Sequence, residues 1–199
     1  MSQHVVKTTA GRLIEDPPLA RFLFSDTRFA AVWTIVRVLI GFSWLSAGWT
    51  KLNEAAWMQT GAALKGYWTN AIAIPAAGNP PINFGWYRAF IQGLLDSGSY
   101  VWFAKLIAFG ETAVGLSLIV GGFVGIAAFF AALMNWSYLM AGSTSSNPLL
   151  LIGAVLLMLA WKTAGYYGLD YFLLPRLGTP WAAKSVAVDR SGQFAHKAG

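Results

Sequence analysis

Four long apolar segments constrain what this chain can fold into. They run over residues 32–52, 100–120, 121–142 and 148–167. Each is about 20 residues long, which is the length of helix that crosses the hydrocarbon core of a bilayer. Of the residues in the chain, 56% are hydrophobic and only 11% are charged, against roughly 25% charged in soluble domains. We therefore predict an all-α integral membrane protein, built as a bundle of four transmembrane helices.

The connection between the first and second segments, residues 53–99, is too long to be a simple loop. Stretches 57–68 and 87–98 have helical character, and a proline- and glycine-rich turn region over 73–86 separates them. Several aromatic residues here are typical of the headgroup zone: Trp57, Tyr67, Trp68, Trp86 and Tyr87. We predict a long, partly helical outer loop that caps one end of the bundle.

The positions of lysine and arginine predict the orientation. Nine of the 14 basic residues lie in an N-terminal arm, residues 1–31, or from Lys162 onward, including a polar tail over 174–199. Basic flanking segments stay on the cytoplasmic side. We therefore predict an inner (cytoplasmic) membrane protein with a membrane domain over 32–173, both termini in the cytoplasm and the cap outside. A formal charge of +6 then suits anionic lipid, and nucleic acid is not an expected partner.

Residue types that are missing limit the chemistry. The chain has no cysteine, and its two histidines, His4 and His196, lie near the ends. Disulfides, thiol nucleophiles and iron–sulfur ligation are excluded. Histidine-ligated haem and typical zinc or copper sites are also excluded, so we expect no metal. Redox chemistry in this chain would need a diffusible organic co-substrate or a partner subunit.

One face of the first segment carries charges and small residues together. Arg37, Gly41, Trp44, Gly48 and Lys51 fall within a stripe of roughly 80° on a helix. Small residues in such a stripe let another helix approach closely, so we expect it to face the bundle. The alternative for both cations is that they extend to the nearest membrane surface.

Glu111 lies inside the second segment, where an ionised side chain costs roughly 3 kcal/mol or more. We expect Arg37 to be its partner, directly or through a water or the Ser43 hydroxyl. Lys105, six residues earlier, lies on another side of the helix. Glu111 is alternatively protonated, because burial favours the neutral acid. The pattern fits proton-coupled redox chemistry and an inert buried ion pair equally well.

With these residues assembled, the chain resembles the DoxX/DoxD family of small four-helix membrane proteins over roughly residues 30–173. The matching stretches are RVLIGFSWLSAGWTKLN (37–53), GETAVGLSLIVGG (110–122), LMNWSYLMAG (133–142) and WKTAGYYGLDYF (161–172). The inserts GAALKG (61–66) and GNPPINFGWYRAF (78–90), with an asparagine in the third segment, look more like the DoxD branch.

The resemblance implies an oxidoreductase that oxidises thiosulfate to tetrathionate and passes the electrons to a membrane quinone as co-substrate. It also implies a possible small DoxA-like partner subunit. Under this interpretation Glu111 and Arg37 are the catalytic candidates. Cations near the cap are the candidates for gathering the anionic substrate: Lys51, Lys105, Arg88 and Lys65. The quinone-binding candidates are Trp44, Asn135 and Tyr138.

Two other classes of function stay open. In one, the chain is a non-catalytic accessory subunit of a larger respiratory or photosynthetic membrane complex. Arg37 and Glu111 are then a structural pair, and Asn135 only joins helices by a hydrogen bond. In the other, it is a small transporter or a lipid- or quinone-binding protein. Transporters usually contain internal repeats, and the two halves of this chain differ too much in loop length and charge to resemble repeats.

Overall fold

The computed structural model describes residues 16–179, together with the backbone of two short strands near the N-terminus. The strands β1 (Lys7–Thr8) and β2 (Gly11–Arg12) pair antiparallel. The rest is helical, as predicted, in this order: α1 (Pro18–Ser25), a 3-10 turn (Thr27–Phe29), α2 (Ala30–Leu52), α3 (Ala55–Met58), α4 (Ala62–Ile72), α5 (Gly85–Asp96), α6 (Tyr100–Val120), α7 (Val124–Met140), α8 (Asn147–Leu159), α9 (Trp161–Ala164) and α10 (Asp170–Arg176). Of the predicted arm, residues 1–6, 9–10 and 13–15 lie outside the described residues, as do residues 180–199 of the predicted tail.

Within the described part of the chain, two helices are long and apolar enough to cross a membrane. These are the helical stretch Thr27–Leu52, which contains α2, and α6 with 21 residues. The helices α7 and α8 are also apolar but shorter, with 17 and 13 residues. Helix α7 covers most of the predicted segment 121–142, and the predicted segment 148–167 contains α8 and α9 with Ala160 between them. A helical bundle is confirmed in the described chain, and four complete spans stay a prediction.

The contact between α2 and α6 organises the bundle. A Cβ atom added at Gly48 would lie 2.5 Å from the Thr112 Oγ1 atom, and one at Gly115 would clash with the Leu45 backbone nitrogen. The two helices therefore touch through their backbones. Gly41, also on the predicted stripe, is buried against Leu118. The prediction that this face of α2 packs into the bundle is confirmed.

The connection 53–99 is partly helical, as predicted, and has its own apolar core. Helices α3, α4 and α5 fold over one end of the bundle and bury a hydrophobic cluster there. Leu64, Trp68 and Ile91 belong to this cluster, which also includes Ala104 of α6 and Ala141 after α7. We call this part of the molecule, α3 to α5, the cap. It closes the end of the bundle where α2 ends and α6 begins.

Candidate functional site

Glu111 is buried in the middle of α6 and is paired through both of its carboxylate oxygens. It is only 1% exposed. The Lys51 ammonium donates to Oε2 at 2.6 Å, and the Tyr138 hydroxyl donates to Oε1, also at 2.6 Å. Together these groups connect α6 to α2 and α7. A buried carboxylate with a cation and a hydroxyl on its two oxygens is a stable arrangement for a charge inside an apolar bundle.

Lys51 comes from the last turn of α2, and the cap holds it in place. Its side chain is 18% exposed, so it turns inward instead of extending to the surface. The ammonium also lies 5.1 Å from the centre of the Trp57 ring in α3. A cation above the face of an indole is attracted by the ring electrons. The ammonium is thus placed from three elements at once: α2, α3 and α6.

The groups around Glu111 form the wall of a cavity of about 320 Å³. Side chains from α2, α3, α4, α6, α7 and α8 line it, together with the polar α7–α8 hairpin. We call it the polar cavity. Its polar or charged lining residues are Ser43, Lys51, Glu111, Tyr67, Tyr138, Ser143, Ser146 and Asn147, and Trp44, Ala47, Trp57 and Leu150 complete the lining. Sequence analysis did not select Tyr67, Trp57 or the hairpin for this site.

Two hydrogen-bond donors that belong to the lining residues are buried without partners among the described residues. The Trp44 side chain is 4% exposed, and its indole nitrogen makes no hydrogen bond. The Tyr67 hydroxyl likewise makes none of regular geometry. Burial raises the pKa of the Tyr67 hydroxyl to about 12, against a smaller opposing effect of the nearby Ser143 hydroxyl. Buried polar groups in native proteins are nearly always satisfied, so these two donors indicate a ligand or water oxygen at this place.

Arg37 is not the partner of Glu111, so that prediction is wrong. The guanidinium is 1% exposed and donates to three backbone carbonyl oxygens: those of Leu118, Ile119 at 2.9 Å and Tyr167 at 3.1 Å. Leu118 lies about two helical turns beyond Glu111. Arg37 therefore caps the end of α6, at the opposite end of the bundle from the cap.

Asp170 explains why Arg37 is held there. Its carboxylate accepts hydrogen bonds from the backbone N–H groups of Phe123 at 2.7 Å and Val124 at 2.9 Å, at the start of α7. It is also the acidic group that interacts electrostatically with Arg37. Between them, Gly121 adopts a φ of 69°, and the guanidinium lies where its Cβ would be. Sequence analysis did not select Asp170. The feature that indicates it is an acidic residue close behind the aromatic pair Tyr166 and Tyr167, at the end of the last apolar segment.

The four predicted substrate-gathering cations are not brought into one cavity. Only Lys51 lines the polar cavity. Lys105 is exposed on α6, and Lys65 is exposed with its ammonium 5.2 Å from the centre of the Tyr100 ring. Arg88 is half-buried and donates to the Ile82 carbonyl oxygen within the cap. Lys51 is therefore the one of these four cations at the site, where it is paired with the Glu111 carboxylate.

Asn135 is fully buried on α7, one turn before Tyr138. Neither its amide nitrogen nor its amide oxygen has a hydrogen-bond partner among the described residues. It also does not line the polar cavity. Of the predicted quinone-binding residues, Trp44 and Tyr138 therefore share a cavity and Asn135 lies apart from it.

A second cleft, of about 340 Å³, lies between the cap and the bundle. It is lined mainly by aromatic and aliphatic side chains of α4, α5, α6 and α7. We call it the aromatic cleft. Tyr67 and Tyr138 line both spaces, and their rings meet edge to face with centres 6.3 Å apart. This tyrosine pair is thus the partition between the polar cavity and the aromatic cleft.

Comparison of the chain with protein-family models, with curated proteins and with solved structures finds no match. The family resemblance stated from the sequence stays a prediction, and the site has to be interpreted from its own geometry.

Proposed function

We propose that the chain is a four-span membrane protein with the cap outside and both termini in the cytoplasm. The backbone N–H groups of Ala160 and Ala164 donate to carbonyl oxygens four residues earlier. Helices α8 and α9 therefore continue one another over 147–164, about 27 Å. Helix α7 is about 26 Å long on the same basis. Both lengths approach the roughly 30 Å of the hydrocarbon core.

The outward faces of the helices support the same proposal. They carry large apolar side chains that are more than half exposed, including Leu39 and Phe42 on α2, Phe109 on α6, Ile126 on α7 and Ile152 on α8. Soluble proteins rarely expose apolar patches beyond a few hundred Å². An apolar perimeter around polar groups that face inward is typical of a bundle surrounded by lipid.

Within that membrane protein we propose a DoxD-like oxidoreductase activity. Two thiosulfate dianions lose one electron each and join through a new S–S bond as tetrathionate. A quinone takes up the two electrons and two protons and becomes the quinol. The observation that supports this best is the pairing of Glu111 with Lys51 and Tyr138 in the wall of the polar cavity. That pairing offers a cation for the anionic substrate and a chain of groups that exchange protons.

The residues have distinct proposed roles. Lys51 attracts the dianion and offsets the repulsion between two of them. Glu111 and Tyr138 carry protons between the polar cavity and the quinone. Arg37, held by carbonyl oxygens at the far end of α6, fixes the helices and takes no part in the chemistry.

The test is an activity assay in lipid. Protein in nanodiscs receives thiosulfate and a short-chain quinone analogue, with and without a DoxA-like small subunit, and quinol formation is followed by absorbance. We expect quinol and tetrathionate in a one-to-one ratio. If thiosulfate drives no quinone reduction under either condition, the proposed activity is wrong.

One observation favours a second candidate, a non-catalytic subunit of a larger membrane complex. Phe84, Trp86 and Phe90 at the surface of the cap are each more than half exposed. Aromatic residues are enriched in protein interfaces as well as in headgroup zones. Purification in mild detergent then yields a stable larger complex, and Glu111→Gln leaves the assembly and turnover of that complex unchanged.

A further inference from the structure

The two spaces on either side of the tyrosine pair differ in chemistry. The polar cavity holds the Lys51 ammonium, and its lining includes two residues whose donors are unpaired, Trp44 and Tyr67. Hydroxyl groups of the α7–α8 hairpin, those of Ser143 and Ser146, complete that side. The Glu111 carboxylate in the same wall is already paired with Lys51 and Tyr138. The remaining donors around a space of this size suit a small oxyanion, whose oxygens accept several hydrogen bonds.

The aromatic cleft has the opposite character. Trp86, Phe90, Phe103 and Trp136 contribute rings to its walls. Its polar group at Tyr87 is already used, because that hydroxyl donates to the Ser137 carbonyl oxygen at 3.0 Å. Flat rings surrounded by aromatic side chains gain offset or edge-to-face contacts. A cleft of this volume, within the usual range for small-molecule sites, suits a flat ring with an apolar tail.

Resting on the proposed function, we infer that the two substrates bind on opposite sides of the Tyr67–Tyr138 pair. Thiosulfate occupies the polar cavity and the quinone ring occupies the aromatic cleft. The two electrons released when the S–S bond forms cross the tyrosine pair to the quinone. The two protons that the quinone takes up come from water along Lys51, Glu111 and Tyr138. This arrangement moves quinone binding away from Trp44 and Asn135 and into the space under the cap.

Two variants test the arrangement by crossed effects on KM. Trp44→Phe removes one unpaired donor from the polar side, and we expect the KM for thiosulfate to rise about fivefold, as for one lost hydrogen bond. The KM for quinone should stay within about twofold. Leu133→Trp places a large ring in the aromatic cleft, which Leu133 lines. It should raise the KM for quinone at least fivefold and leave that for thiosulfate within about twofold.

Leu116→Trp is the matched control, because Leu116 is an exposed residue of α6 that lines neither space. It should change neither KM. If Trp44→Phe and Leu133→Trp change both constants alike, or change the opposite ones, the two-compartment arrangement is overturned.

A binding experiment separates this inference from the proposed activity. A photoreactive azidoquinone is cross-linked to the protein in nanodiscs without thiosulfate, and the labelled peptides are identified by mass spectrometry. We expect label on α5 and the second half of α7, and less of it in Leu133→Trp. Label confined to the polar cavity or to the outer surface overturns the inference. A lack of thiosulfate-dependent turnover, with the label still on α5, overturns only the proposed activity.

Discussion

The Lys51 ammonium lies 2.6 Å from the Glu111 carboxylate, although 60 residues separate them in the chain. The pair joins the last turn of α2 to the middle of α6, and Tyr138 extends it to α7. Three helices thus meet at one buried acid, in the wall of a cavity. This contact is why we place the chemistry at the cap end of the bundle.

The two lysines Lys51 and Lys105 make a matched test of the anion site. Lys51→Met removes the cation that lines the polar cavity, so kcat/KM for thiosulfate should fall at least tenfold, about 1.4 kcal/mol. Lys105→Met removes an exposed cation outside the cavity and should change kcat/KM less than about twofold. Steady-state kinetics in nanodiscs measures both. Equal losses in the two variants would mean that diffuse surface charge, and not Lys51, attracts the anion.

The sequence predicts the buried face of α2 but not the partner of Glu111, for a physical reason. Periodicity places residues around a helix, and so Gly41, Gly48 and Arg37 were correctly assigned to the bundle. Pairing also depends on how far one helix slides along another. Gly48 lies against Thr112 and Gly115 lies against Leu45, so the midpoints of α2 and α6 are offset by about nine residues, ~13 Å.

That offset carries Lys51 to Glu111 and Arg37 past the end of α6. From hydropathy alone, helices of equal length are expected to lie at the same depth in the membrane. The hydropathy pattern contains no information about an offset between them. The cap shows the same limit. The local pattern predicted helices over 57–68 and 87–98, and the structure divides the first of these stretches between α3 and α4. The packing of the cap against α6, which brings Trp57 of α3 and Tyr67 of α4 to the cavity, depends on long-range contacts.

Arg37 should behave as a structural residue. Arg37→Met leaves the carbonyl oxygens at the end of α6 and the buried Asp170 without their cation, so we expect a loss of about 3 kcal/mol in unfolding free energy. Arg37→Lys should lose less, since the ammonium keeps the charge but not the planar fork of donors. Thermal unfolding, followed by tryptophan fluorescence, measures which of the two variants is the more stable. At temperatures where Arg37→Lys is folded, its KM values should match those of the unmodified protein. A changed KM with normal stability would show that Arg37 belongs to the reacting site.

Two glycines test the close contact of α2 and α6. At Gly115, an added Cβ would meet the Leu45 backbone, which has no side-chain freedom to move away. Gly115→Ala should therefore destabilise the protein by about 2 kcal/mol. At Gly66 in α4, nothing lies within 4 Å of an added Cβ. Gly66→Ala should stabilise by about 0.5 kcal/mol, because alanine favours a helix. Similar unfolding temperatures for both variants would show that the helices do not touch at Gly115.

The raised pKa of Tyr67 predicts a loss of stability at alkaline pH. In the unfolded chain a tyrosine releases its proton near pH 10. In the folded chain the pKa of Tyr67 is raised to about 12, so Tyr67 keeps its proton to a higher pH. The folded state therefore binds more protons between these values, and the unfolding free energy falls as pH rises through that window. Below about pH 10 the contribution is constant.

Tyr67→Phe removes the titrating group, so its unfolding temperature should fall less between about pH 9 and 11.5 than that of the unmodified protein. Part of the fall should persist, because burial also raises the pKa of Tyr87. Parallel pH profiles for the two proteins would show that the Tyr67 hydroxyl is solvated.

Proton transfer by Glu111 is tested most directly by the rate of thiosulfate-driven quinone reduction in Glu111→Gln. Glutamine keeps the shape of the side chain but neither takes up nor releases a proton at working pH. Glu54→Gln is the control, because Glu54 is an exposed carboxylate between α2 and α3. We predict that Glu111→Gln, folded in nanodiscs, loses at least about 100-fold in kcat, while Glu54→Gln keeps the unmodified rate. A folded Glu111→Gln protein that turns over within twofold of the unmodified one would contradict this prediction.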